Sequence, residues 1–103
     1  RKQVSAILKK EKIEEPFRSQ LNRASLSIVL NMAEGSGRYS KADRKNFFII
    51  ARGSVFECVA IADLLLDEMI IQKEMYAPLQ TEADELSRLL YSSINNLLHD
   101  PKK

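Results

Sequence analysis

The chain has 103 residues, 45% of them apolar and 29% charged, with a net charge of +2. That is one domain's length with enough apolar content for a core, which excludes a disordered chain. The longest apolar region, 46–66, is broken by Arg52, Glu57 and Asp63, so nothing reads as a membrane span.

Val4, Ile7 and Leu8 are spaced as one face of a helix over about 3–10, with Lys9 and Lys10 suiting its C-terminal end. It is short beside the helices that follow, so its beginning is expected ahead of Arg1. Residues 11–15 form a charged connector, and Pro16 fits the first turn of a second helix over about 16–34. There Phe17, Leu21, Ala24, Ile28 and Met32 step along one face, with Ser25, Val29 and Ala33 beside them. The third helix, about 41–70, carries one stripe of Phe47, Ala51, Ser54, Cys58, Ile61 and Leu65. A second stripe holds Phe48, Val55, Val59, Ala62 and Leu66, and Ile49 and Phe56 lie on yet another side. A helix apolar around most of its circumference must be covered around most of it. The partners within one small bundle cover roughly half, so the remainder points to another subunit. After a polar link at 71–75, Leu79, Ala83, Leu86, Leu90, Ile94 and Leu97 mark a fourth helix over about 75–98, with Pro78 expected in its first turn. Asp100-Pro101 stops it before a Lys102-Lys103 tail. No strand signal or repeat appears. The predicted fold is all-α: a single domain, 1–103, built as an antiparallel up-down-up-down four-helix bundle that assembles as a ring-like homo-oligomer.

The corner between the two middle helices, NMAEGSGRYS over 31–40, organises the chain. Gly35 or Gly37 is expected to end the second helix in a left-handed conformation, and Ser40 to cap the third, with Asp43 three residues on. The glycines are not a phosphate loop, because they follow a helix rather than a strand and no Lys-Ser/Thr pair follows them. A hairpin folded about 36–40 pairs residues whose numbers sum to about 77. Ala24 then faces Gly53, Ser25 faces Arg52, Asn31 faces Asn46, and Arg23 is expected to form a partly or wholly buried ion pair with Glu57.

The one cysteine, Cys58, lies in an apolar stripe and reads as a buried inert thiol, in keeping with a reducing cytoplasm. No signal peptide is visible. The one histidine, His99, reads as a cap or a surface residue near the last helix end. One His and one Cys do not make a metal site, and no cofactor is expected. Glu34 and Glu57 resemble a paired-carboxylate site in sequence, but the hairpin register holds them far apart. The Glu-x-x-His of di-iron bundles is missing, as is any nucleophile–base pair, so the chain is not read as an enzyme. Charge is uneven: residues 1–52 hold twelve Lys/Arg against five Asp/Glu, and 53–103 hold four against nine. This permits either a basic face for a polyanion or mutual neutralisation between helices or subunits.

The stretch QLNRASLSIVLNMAEGSGRYSKADRKNFFIIARGSVFE resembles the signature of the 23S rRNA intervening-sequence proteins, a family of four-helix bundles. The matching residues of its first part include Arg23, Ala24, Ser27, Asn31, Glu34, Gly35, Gly37 and Arg38. Phe48 or Phe47, Ala51, Arg52, Gly53, Ser54 and Glu57 match the second, and Met32 stands where the pattern has Ile. The resemblance implies a bacterial all-α subunit that assembles as a ring, typically a homopentamer, with no catalytic activity of its own. Related bundles act as basic accessory proteins to reverse transcriptases, so a reverse transcriptase joins RNA and the chain itself among the implied partners. The leading functional expectation is binding of RNA or another nucleic acid through Arg38, Lys41, Arg44 and Lys45, with Lys9, Lys10 and Lys12 as a second cluster. Tyr39 is the single aromatic beside the main cluster, so little stacking on bases is expected, and with no RNA-reading fold motif present the binding is expected to be electrostatic and weakly sequence-specific. A protein-interaction scaffold without a nucleic-acid role is the alternative.

Overall fold

The spacing of apolar residues becomes four helices in the computed structural model: α1 (Lys2–Leu8), α2 (Phe17–Ser36), α3 (Lys41–Asp67) and α4 (Lys73–Leu98). The structure describes residues 2–10 and 12–98 and shows no strand among them. The expectations for His99, for the stop at Asp100-Pro101 and for the lysine tail lie outside the described residues, as does Glu11 in the connector.

α3 lies between α2 and α4 and packs on both, whereas the backbone of α1 packs on α2 and α4 and reaches α3 through side chains of the core. Apolar residues gather in two clusters. The first joins Val4 and Ile7 of α1 to Leu21, Ala24, Cys58, Leu65, Leu79 and the link residues Ile13 and Ile71. The second joins Phe48, Ala51 and Val55 of α3 to Leu90 of α4, with Ile28 and Met32 packed against it. All four helices meet only in the first cluster, because α1 is seven residues long and α3 twenty-seven. Arg18 ties α1 down by donating to the carbonyls of Leu8 and Lys10, which the helix end leaves without intrahelical partners. Near the same end, the Tyr76 hydroxyl of α4 donates to Asp63 of α3. That hydrogen bond, with some burial and the charges of Asp63 and Asp67, pushes the Tyr76 phenol up to about 12.

α2 and α3 meet through pairs that run in opposite directions along the chain. Arg23 reaches Glu57, Ser27 reaches Ser54, and Gly35 lies under Phe48. These numbers sum to 80–83 instead of the expected 77. The Cα–Cβ bonds of each helix tilt toward its own N-terminus, so facing side chains in such a hairpin belong to residues further from the turn on α3. In consequence Gly53 does not face Ala24, and no atom outside its own helix lies within 4 Å of where its Cβ would be.

Helix ends follow capping chemistry more than apolar pattern. Ser40 caps α3 as expected, its hydroxyl accepting from the Asp43 N–H at 3.3 Å. α3 stops at Asp67, short of residue 70, because Met69 adopts a left-handed φ of 60°. The Met69 N–H bonds the Leu66 carbonyl and the Ile70 N–H bonds the Leu65 carbonyl, the two bonds of a Schellman motif with Met69 where glycine is usual. α4 starts at Lys73, so Pro78 lies inside the helix and not in its first turn.

The expected left-handed glycine at the α2–α3 corner is not there: no glycine has positive φ, and Gly37 continues right-handed at φ −91°. Gly35 is required for a different reason. A Cβ on it would lie 2.6 Å from Cε1 of Phe48 and 3.2 Å from Cβ of Phe47. Gly35→Ala is therefore expected to lower stability by about 1–3 kcal/mol through overpacking. Gly37→Ala, with backbone oxygens no nearer than 3.6 Å, is expected to leave it unchanged or raise it by about 0.4–1 kcal/mol. Urea titration of both variants checks this, and equal losses would refute it.

Candidate nucleic-acid interface

The α2–α3 corner brings together the four cations singled out in the sequence, in unequal states. Arg38 is committed: its guanidinium pairs with Glu34 at 2.9 Å and lies 4.9 Å over the Phe47 ring. Glu34 lies in the last turn of α2, and Arg38, just past the Gly37 cap, folds back onto it. Lys41, Arg44 and Lys45, on the first turn and a half of α3, are each half-buried. The Nε of Arg44 is buried and makes no hydrogen bond. Tyr39 between them is wholly exposed, at 103% of its reference area. The corner thus combines one held arginine, three half-buried cations and one exposed aromatic side chain.

The second basic cluster does not join it. Lys9, Lys10 and Lys12 are exposed at the opposite end of α2, a helix of 20 residues and so about 30 Å long. That end also carries Asp63, Asp67, Glu68 and Glu74, so its positive charge is offset locally.

Below the corner, the remaining signature residues form a polar seam between α2 and α3. Asn31 donates to the Ser27 carbonyl at 2.8 Å and to its hydroxyl at 3.0 Å, so it closes on its own helix instead of facing Asn46. Ser54 donates to the same Ser27 hydroxyl at 2.8 Å. A buried hydroxyl without a partner is costly, and this chain satisfies both serines across the helix contact. Arg23 does meet Glu57, at 2.9 Å, and also Gln20 at 2.7 Å. The pair is not wholly buried, however: Arg23 is exposed and Glu57 half-buried, their side chains 65% and 37% accessible. The register raises Arg23 and Glu57 to the rim of the contact. Arg52 points the other way, to α4, donating from Nε to the Ser87 carbonyl at 3.1 Å. Its guanidinium lies 4.9 Å from the Phe56 ring and 5.1 Å from that of Tyr91. Pairing Arg52 with Tyr91 needs the α3–α4 register, for which the sequence carries no marker.

Glu34 and Glu57 serve different arginines at separate levels. Gly35 lies against Phe48, nine residues and so roughly 13 Å of helix before Glu57. Among the described residues, no group of three or more His, Cys, Asp or Glu could hold a metal ion. No helix is long and apolar enough to cross a membrane among the described residues.

These features define an all-α protein of four helices, with one cationic corner and a polar seam behind it. Residues 2–92 match the family of the 23S rRNA-intervening sequence protein, and the chain belongs to that family. Among solved structures it resembles a protein of unknown function from the S23 ribosomal protein family of Bacteroides thetaiotaomicron VPI-5482, with 28% identity and a TM-score of 0.82. That match covers 90% of this chain and 88% of the other. Comparison with curated proteins finds no match.

The exposure of the Arg23–Glu57 pair lowers the stability expected of it. An exposed pair contributes about 0–1 kcal/mol, against about 3–5 kcal/mol lost when one partner of a buried pair is removed. Glu57→Ala is expected to cost under about 1 kcal/mol, and less in high salt. Thermal melts at two salt concentrations check this, and a loss of several kcal/mol independent of salt would contradict it.

Proposed function

We propose that the chain is a non-enzymatic, antiparallel up-down-up-down four-helix bundle that assembles as a ring-like homo-oligomer of five subunits and binds RNA or another nucleic acid. The observation that carries the binding is the corner: Arg38, Lys41, Arg44 and Lys45 fall within eight residues, at the end of the molecule away from its acidic links. Clustered cations are what a phosphate backbone requires, and a ring repeats the cluster. The opposed pairings of α2 and α3 support the antiparallel arrangement. Assembly is supported by the outer face of α3, where Ile49, Gly53, Phe56, Ala60 and Leu64 are all exposed at helical spacing. The family's name ties it to ribosomal RNA. A bacterial cytoplasm is the proposed setting, with a reverse transcriptase as a further partner.

One observation favours a second reading, a protein-interaction scaffold. Leu26, Val29 and Leu30 are exposed on α2, more apolar surface than the basic corner needs.

Retention of labelled RNA over a salt series separates the two. The parent is expected to bind with affinity falling steeply as salt rises, each phosphate contact contributing about 0.7–0.9 to the slope of log affinity against log salt. Replacing Arg38, Lys41, Arg44 and Lys45 with Ala, in protein checked to be folded and of unchanged mass, is expected to weaken binding and flatten that slope by about 3. Unchanged affinity and slope would refute the site. No retention by the parent at low salt would leave the scaffold reading.

A further inference from the structure

From the exposure of Tyr39 we infer that the corner selects unpaired nucleic acid, with Tyr39 as the platform on which a base stacks; this rests on the nucleic-acid reading above. Tyr39 is exposed to 103% of its reference area, so its ring gains nothing from the fold.

The turn presents this ring on a fixed base. The Gly37 N–H bonds the carbonyls of Ala33 and Glu34, and the Arg38 N–H bonds that of Gly35. One residue after Tyr39, Ser40 caps α3. Arg38, the cation nearest in sequence, is drawn away to Glu34 and the Phe47 ring, so it does not cover the tyrosine. Both faces of Tyr39 are therefore open. Lys41, Arg44 and Lys45 follow within six residues of it in the chain, the charge that a phosphate backbone next to a stacked base would need.

Charge alone does not distinguish a single strand from a duplex, since both carry phosphates. An aromatic platform does. In a duplex each base is already stacked and its faces are closed, whereas an unpaired base offers a π-face to any aromatic ring, with little dependence on sequence. The two parts of the corner thus divide the work: the cations supply salt-dependent affinity, and Tyr39 supplies preference for unpaired strands.

The test compares a labelled mixed-sequence RNA strand, free and annealed to its complement, against the parent, Tyr39→Ala and Tyr39→Phe. Because Tyr39 makes no contact in the fold, neither variant is expected to change the melting temperature. Tyr39→Ala is expected to bind the free strand about 5- to 100-fold more weakly, with the salt slope and duplex affinity unchanged. Tyr39→Phe, which keeps the ring, is expected to bind as the parent does. Equal weakening toward strand and duplex, or none toward either, overturns the inference while leaving the cationic corner intact. A parent that binds neither form at low salt overturns the nucleic-acid reading itself, and this inference with it.

Discussion

α3 is apolar or small around most of its circumference, and the rest of the structure answers that constraint. Its inner side packs Phe48, Ala51, Val55, Cys58, Ala62 and Leu65 against the other helices. Its outer side keeps Ile49, Gly53, Phe56, Ala60 and Leu64 exposed, Phe56 by 51%. Gly53 sharpens the point. A glycine inside a helix costs about 0.5–1 kcal/mol relative to alanine. No atom outside its own helix lies within 4 Å of the position its Cβ would take, so the subunit gains no close approach in return. A notch of this kind between Ile49 and Phe56 suits a neighbouring helix packed against the backbone, as the proposed assembly would supply.

The sequence carried the four helices, their order and the capping of α3 by Ser40, because those depend on periodicity and local hydrogen bonding. It did not carry the roles of the glycines. A glycine beside a turn reads as a helix stop, yet Gly35 makes room for Phe48, a contact between residues thirteen apart, and the left-handed position falls to Met69 at the other end of α3. Nothing in a methionine announces positive φ; the Schellman bonds around it impose that conformation.

The polar seam was legible in its members and not in its connections. Arg23 and Glu57 do pair, as opposed charge and a hairpin predict, but the tilt of side chains along each helix moves the facing register outward and leaves the pair at the rim of the contact. Asn31 turns back to Ser27 because a carbonyl one helical turn away is within reach of its amide. The basic corner was legible as a run of charges. A pairing of Arg38 with Glu34, four residues before it, was legible too; what the sequence could not convey is that Arg38 also lies over the Phe47 ring while Tyr39 is left exposed, since both follow from how the turn aims its side chains.

The covering of α3 by a second copy is the central claim, and mass in solution tests it most directly. Light scattering of the protein at micromolar concentration, beside Phe56→Lys, reads it without any ligand. The expected result is a parent mass several times the 11.8 kDa of one chain, falling toward that value when a charge is placed on the outer stripe. A parent already at the mass of one chain would contradict the claim.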